Sequence, residues 1–298
     1  MAPTLPTGPG VGRSHHGHPP TDPAVHRPQP ILRPRSLRRR PEGLIVRCVV
    51  LQTSPVFGEV SANVEALADL ISETGPADLM VAPELATTGY DIERLATMGR
   101  ELAEPIDGPT TQKLSRLAIE NELTLVCGVL ESDGDDLFDT VVVCLHDGSI
   151  VPYRKTHLYP AERDVFTPGG ELLTVPTPDG ALGPMICFEH AFPEIATTLA
   201  LAGAEIIVIP SAVPNGFEHL LELRSRARAQ DNQVFVIAAN LAGSGFCGRS
   251  LVVDPRGEVL SEAGAEATTL AVELDRSLVE EERRTEPALE LRRPDLYS

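Results

Sequence analysis

From Ile45 onward the chain alternates short β-branched runs with amphipathic helical stretches, and that alternation leaves few architectures open. Residues 45–51 read as a strand, and 61–74 as a helix with Val64, Leu67, Ala68 and Ile71 at helical spacing. Residues 78–82 form a second strand that runs straight into Pro83 and Glu84. Pro109 signals the start of a helix over 110–121. Residues 123–130 and 140–146 are strands flanking a turn-rich connection at 132–136, and 149–153 extends the same sheet. Residues 172–176 and 182–186 pair across Pro178-Asp179-Gly180. Next come a helix over 193–202 closed by Gly203, a strand over 205–209 apolar enough to be covered on both faces, and a long helix over 218–232. A strand at 235–239, a hairpin of 250–254 with 258–261, and a last strand at 270–274 complete the pattern. Helix–strand alternation mixed with hairpins predicts a layered α/β domain with mixed sheets over residues 44–298.

Charge narrows the choice of partner. The chain of 298 residues carries 25 Lys and Arg against 43 Asp and Glu, a net charge of −18. Such a surface repels phosphate backbones and anionic lipid, so neither nucleic acid nor membrane is an expected partner. No run approaches the ~18 apolar residues of a membrane span. Five Cys, an odd and sparse set, argue against a disulfide framework and for free thiols in a reducing cytoplasm. Residues 1–43 differ from the rest: seven Arg face only Asp22 and Glu42, and ten of the 27 Pro and four of the eight His fall here. This segment has too little apolar surface to offset its ordering entropy and reads as a disordered tail. His15, His16 and His18 are not read as a metal tract. Pro41, Glu42 and Arg47 break the only stretch that resembles a signal-peptide core.

Four side chains stand just past strands, where sites gather in α/β proteins. Cys187 ends the strand at 182–186 and shortly precedes the helix that Pro193 opens. A thiol there lies beside backbone N–H groups that favour thiolate and can hold a developing oxyanion. It can equally be a buried structural cysteine, and the residues alone leave both open. Glu84 follows the strand at 78–82, Lys155 the strand at 149–153, and Glu162 lies seven residues beyond Lys155. Two apparent motifs carry nothing. Gly243-Ser244-Gly245-Phe246-Cys247-Gly248 fits a dinucleotide fingerprint, but a strand rather than a helix follows, so it reads as a loop near the pocket mouth. No His or Cys pair has zinc spacing, and neither metal nor cofactor is expected.

Taken in order, several segments resemble the nitrilase superfamily of carbon–nitrogen hydrolases across residues 45–298. They are Pro83-Glu84 with Thr88-Gly89-Tyr90, then Tyr153-Arg154-Lys155-Thr156-His157-Leu158, then Ile186-Cys187 with Phe192-Pro193-Glu194. Ala202-Gly203-Ala204-Glu205, Pro210-Ser211-Ala212, Arg226-Ala227-Arg228 with Asn232, Asn240, and Arg292-Arg293-Pro294-Asp295-Leu296-Tyr297 follow. The resemblance implies a four-layer αββα sandwich with mixed sheets that associates as a homodimer or higher homo-oligomer. It also implies a Glu–Lys–Cys site: Cys187 as nucleophile, Glu84 as general base, and Lys155 as oxyanion partner helped by the backbone N–H of Phe188. Glu162 would position Lys155. Tyr90, Phe188, His190, Phe192, Ser211 and Ala212 are the expected substrate contacts.

The chemistry implied is hydrolysis of a small carboxamide through a thioester, which divides one hard step into two easier ones. Many amidases of the superfamily have Arg where this chain has Ala191. A guanidinium is the natural partner of a substrate carboxylate, so its absence points to neutral, aromatic or amine-bearing amides. Cys187-Phe188-Glu189-His190 is also similar to the Cys-Trp-Glu-His of nitrilases. Nitrile or N-carbamoyl amine hydrolysis is therefore the alternative, with a non-catalytic scaffold of the same fold behind it.

Overall fold

The computed structural model describes residues 44–243 and 245–296. The expected tail at 1–43 and the end of the C-terminal motif, Tyr297, lie outside the described residues. The elements begin β1 (Ile45–Gln52), α1 (Val60–Thr74), β2 (Leu79–Val81), α2 (Ile92–Leu102), α3 (Pro109–Glu120), β3 (Thr124–Asp133), β4 (Asp136–Cys144) and β5 (Ile150–Arg154). They continue β6 (Leu182–Pro184), α4 (Pro193–Leu201), β7 (Ile206–Ser211), α5 (Glu218–Asn232) and β8 (Phe235–Asn240). The short β9 (Ala242–Gly243) and β10 (Phe246–Cys247), then β11 (Leu251–Val253), β12 (Val259–Glu262), β13 (Thr268–Asp275) and α6 (Ser277–Thr285) complete the set.

Successive side chains of a strand point to opposite faces, and here both faces are apolar. In β1, Val46, Cys48 and Val50 enter one core while Val49 and Leu51 enter another. In β7, Ile206 and Val208 join the first core, and Ile207 and Ile209 a third. The first core lies between two sheets. One is six-stranded in the order β13-β1-β2-β3-β4-β5, and the other five-stranded in the order β12-β11-β8-β7-β6. The second core packs Leu67 and Ile71 of α1 and Leu114 of α3 on the outside of the larger sheet. The third packs Ile195 and Leu199 of α4 and Leu221 of α5 on the outside of the smaller. The result is the αββα sandwich. Each sheet is parallel where helices cross over it (β1-β2-β3 and β6-β7-β8) and antiparallel towards its hairpin side.

Three expectations change. The strand at 172–176 is a single bridge between Val175 and Leu182, because Pro184 at the next hydrogen-bonding position has no N–H to donate. The sequence reading assigned nothing to α2, which buries only Leu95 and Gly99, or to α6, which buries only Val279. Both are amphipathic, so their periodicity is open to reading. The glycine-rich segment, expected as a loop, forms the two-residue ladder β9–β10, and the expected strand, β11, follows it.

One glycine fixes the position of a site residue. Gly128 in β3 lies against the chain leaving β2, and a Cβ there would stand 2.6 Å from Pro83 O and 2.7 Å from Glu84 Cα, closer still to Leu85 N. Those neighbours are backbone and cannot swing aside. Gly128→Ala is expected to cost about 1–3 kcal/mol in urea denaturation and to depress kcat as well, since the displaced segment carries Glu84.

Candidate active site

The site lies beyond the ends of three strands, β2, β5 and β6. Glu84 follows β2 in a tight turn: Leu85 has φ 43°, and the N–H groups of Thr88 and Gly89 both donate to Leu85 O. Lys155 follows β5, its backbone N–H donating to Asp139 O of β4 at 2.9 Å. Glu162 closes a 3-10 turn that Pro160 opens, and Cys187 begins a second 3-10 turn past β6. Cys187 itself has φ 43°, in the left-handed region that non-glycine residues adopt at a cost of about 1–3 kcal/mol.

The Lys155 ammonium is wholly buried and donates to three carboxylates: Glu84 Oε1 at 2.5 Å, Glu162 Oε1 at 2.7 Å and Asp139 Oδ2 at 3.2 Å. Burial alone would drive its proton off, but the charges of Glu84, Asp139 and Glu162 outweigh it and hold the pKa well above the lysine range. These three carboxylates lie close enough together to suggest a cation site, and the cation they surround is this ammonium. Glu162 is held further by the Tyr90 hydroxyl at 2.7 Å and the Tyr159 N–H at 2.7 Å. Glu84 is raised well above the carboxylate range by burial, with Lys155 opposing and Asp139 and Glu162 adding to the rise. Its second oxygen, Oε2, is buried with no hydrogen-bond partner among the described residues. That atom can accept a proton.

The Cys187 thiol is raised above its usual range by burial first and by the Glu84 charge second, while Lys155 and the Ala212 N–H pull it back. Sulfur and both charged groups therefore share one field. Behind them a carboxylate outside the expected set joins the two halves of the site. Buried Glu189 accepts from the Tyr153 hydroxyl at 2.8 Å, the Thr156 N–H at 2.8 Å and the Thr156 hydroxyl at 2.5 Å. It also accepts from the Ile186 N–H at 2.7 Å. The loop carrying Lys155 and the turn carrying Cys187 are thus tied to one side chain.

Cys187 opens onto a cavity of about 380 Å³. Of the expected contacts, Tyr90, Phe188, His190 and Ala212 line it, together with Glu162. Two do not. Ser211 is buried in β7 with its hydroxyl donating to Ile209 O at 3.1 Å. Phe192 stands behind the wall, edge-on to Phe188 at 5.3 Å and against His157 at 4.5 Å. Tyr159, Val213, Pro214, Phe217, Leu220, Arg224 and Phe246 complete the lining. Phe246 comes from the glycine-rich segment and stacks its edge on Tyr90. Asp139 also escaped the sequence reading, although an Asp among the apolar residues of β4 is a signal in itself.

Residues 48–284 match the carbon–nitrogen hydrolase family. The chain belongs to that family. It is 35% identical over 270 residues to the omega-amidase NIT2 of Mus musculus, covering 84% of this chain and 95% of that one. Among solved structures, this carbon–nitrogen hydrolase is similar to Nit3 of Saccharomyces cerevisiae, a member of branch 10 of the nitrilase superfamily. That match has a TM-score of 0.77 and 30% identity over 85% of this chain and 97% of that one. It is also similar to a mutant amidase of Nesterenkonia sp. AN1 whose active-site cysteine carries the acetamide moiety of fluoroacetamide. There the TM-score is 0.75, with 25% identity over 86% and 97% of the two chains.

Lys155→Met leaves the three carboxylates of this hydrolase without their cation. The expected loss is about 3–5 kcal/mol. With the ammonium gone, the Glu84 carboxyl, already raised by burial, rises further in the folded state. A group raised on folding gives stability that is lost as pH climbs through its folded pKa, so the deficit should widen as pH climbs upward from the ordinary carboxylate range. Urea denaturation at successive pH values measures it.

Proposed function

We propose that this chain hydrolyses the carbon–nitrogen bond of a small carboxamide to the acid and ammonia through a thioester on Cys187. The observation that carries the reading is a thiol on a strained turn in the wall of a cavity, within the field of a buried carboxylate, Glu84, whose Oε2 has no donor among the described residues. Glu84 takes the thiol proton as sulfur bonds to the carbonyl carbon, and the carbonyl π pair moves to oxygen. The oxyanion is met by the Lys155 charge and the Phe188 N–H. Of the three bonds from Lys155, the one to Asp139 is the longest. Collapse of the intermediate breaks the C–N bond, and the leaving nitrogen takes the proton from Glu84. Water then enters, gives its proton to Glu84 and attacks the thioester, and the thiol is restored as the acid leaves. Glu162, with Tyr90 on its Oε1, holds the ammonium in place.

The direction of the Glu84 shift fits its task, because a base raised towards neutrality accepts a thiol proton far more readily than an ordinary carboxylate. Matched panels of short primary amides and the corresponding nitriles, read by ammonia release, test the reading: amides should be turned over faster. Faster nitrile turnover would replace it with nitrile hydrolysis. Cys187→Ala is expected to reduce kcat by more than about 10⁴-fold with the circular dichroism spectrum retained.

The pH profile gives an independent check. Activity needs Glu84 without its proton and is lost as pH falls through its folded pKa. The acid limb of kcat/KM should therefore titrate above the ordinary carboxylate range, and a limb at or below it would remove Glu84 from the role of base.

A further inference from the structure

The cluster around Lys155 is unbalanced in charge. Three carboxylates and one ammonium share a buried space, with one oxygen of each of Glu84, Asp139 and Glu162 within 4.8 Å of the others. The three acids differ in how far their charge is met. Glu162 accepts from Lys155, from the Tyr90 hydroxyl and from the Tyr159 N–H. Glu84 accepts the shortest of the ammonium's bonds, at 2.5 Å. Asp139 has the least. Among the described residues its one side-chain donor is Lys155 Nζ, at 3.2 Å, and its Oδ1 is buried without a donor. A carboxylate left in that condition keeps most of its field, and in a buried cluster that field acts strongly on its neighbours.

The neighbour that matters is Glu84. Asp139 lies opposite Leu130 in the β3–β4 ladder, and its carbonyl accepts the backbone N–H of Lys155 at 2.9 Å. Backbone and side chain of one residue thus hold the lysine on which Glu84 rests. The titratable groups facing Glu84 are Lys155 beyond β5, Asp139 in β4, Glu162 in its 3-10 turn, Tyr90 in the segment after β2 and Cys187 in the turn after β6. Lys155 favours the ionised form of Glu84. Burial disfavours the charged forms of the Tyr90 phenol and the Cys187 thiol. Of the two acids that oppose ionisation of Glu84, Asp139 weighs more than Glu162, as its poorer set of donors requires.

We propose that Asp139 is a positioning residue for hydrolysis: its poorly compensated charge, held beside Glu84 by the ammonium they share, makes Glu84 a strong enough base to take the thiol proton. The assignment rests on Glu84 as the base of the amide-hydrolase reading. It gives an aspartate buried in a strand a task beyond holding Lys155.

The test is the pH profile of kcat/KM for a short primary amide, read by ammonia release, in the wild type, Asp139→Asn and Asp139→Glu. Asn keeps the size of the side chain and an oxygen for Lys155 but drops the charge. Without that charge Glu84 gives up its proton more readily, and activity, which needs Glu84 unprotonated, persists to lower pH. The acid limb should move down by about 1–2 pH units, and the plateau should fall by about 3- to 10-fold because the base is weaker. Asp139→Glu keeps the charge and should keep the limb near that of the wild type, even where its rate is lower. A limb in Asp139→Asn that stays in place or moves up would reduce Asp139 to an acceptor for Lys155, overturning the proposal while leaving amide hydrolysis standing. Urea denaturation gives the second measurement. With one of three crowded anions gone the Asn variant should stay folded, and a variant unable to fold would show the charge to be structural and overturn the proposal too. A wild type that releases no ammonia removes the amide reading, and a wild-type limb in the ordinary carboxylate range removes Glu84 as base; either takes this assignment with it.

Discussion

The buried ammonium of Lys155 is the interaction on which the site depends. Three carboxylates from three separate stretches of chain (Glu84 after β2, Asp139 within β4, Glu162 in the turn beyond β5) converge on it. Removing any of them from water is unfavourable, and removing all of them is tolerable only because each oxygen that faces the ammonium has it as a donor. The cluster thus works as a constraint on the backbone. It holds a position after β2 at a fixed separation from one within β4 and from the chain beyond β5, and Gly128 permits the close approach that this requires. Glu189 then extends the constraint to the smaller sheet. It takes hydrogen bonds from the Lys155 loop and from the Cys187 turn, so the two layers share a reference point at their common edge.

Much of this was legible in the chain alone. The doubly apolar strands announced layers on both sides, and the order of polar residues past strand ends carried Glu84, Lys155, Glu162 and Cys187 through the resemblance to a family. What stayed hidden did so for physical reasons. Asp139 sits inside a strand, where pattern reading expects an apolar or solvent-facing residue and has no means of knowing that a lysine from the next hairpin strand reaches it. Glu189 belongs to a recognised motif, but its work is visible only once Tyr153 and Thr156 are seen to fold back on it. Arg224 looks in sequence like one more charge on an acidic protein's helix, and only the cavity reveals that it faces inward.

Ser211 and Phe192 show the converse limit. Both lie next to true cavity residues, Ala212 and the 3-10 turn at Cys187–Ala191, and sequence adjacency made them look like contacts. Strand alternation turns Ser211 away while Ala212 faces in, and the end of the turn sets Phe192 behind Phe188. A one-residue step is enough to move a side chain between lining and support.

The excess of carboxylates over cations around the thiol has a consequence for the resting molecule. Burial and the Glu84 charge both disfavour the thiolate at Cys187. Peroxide, disulfides and alkylating metabolites react with thiolates and only sluggishly with thiols. On the proposed reading, surroundings that disfavour the thiolate at rest also slow the oxidation of the residue meant to attack.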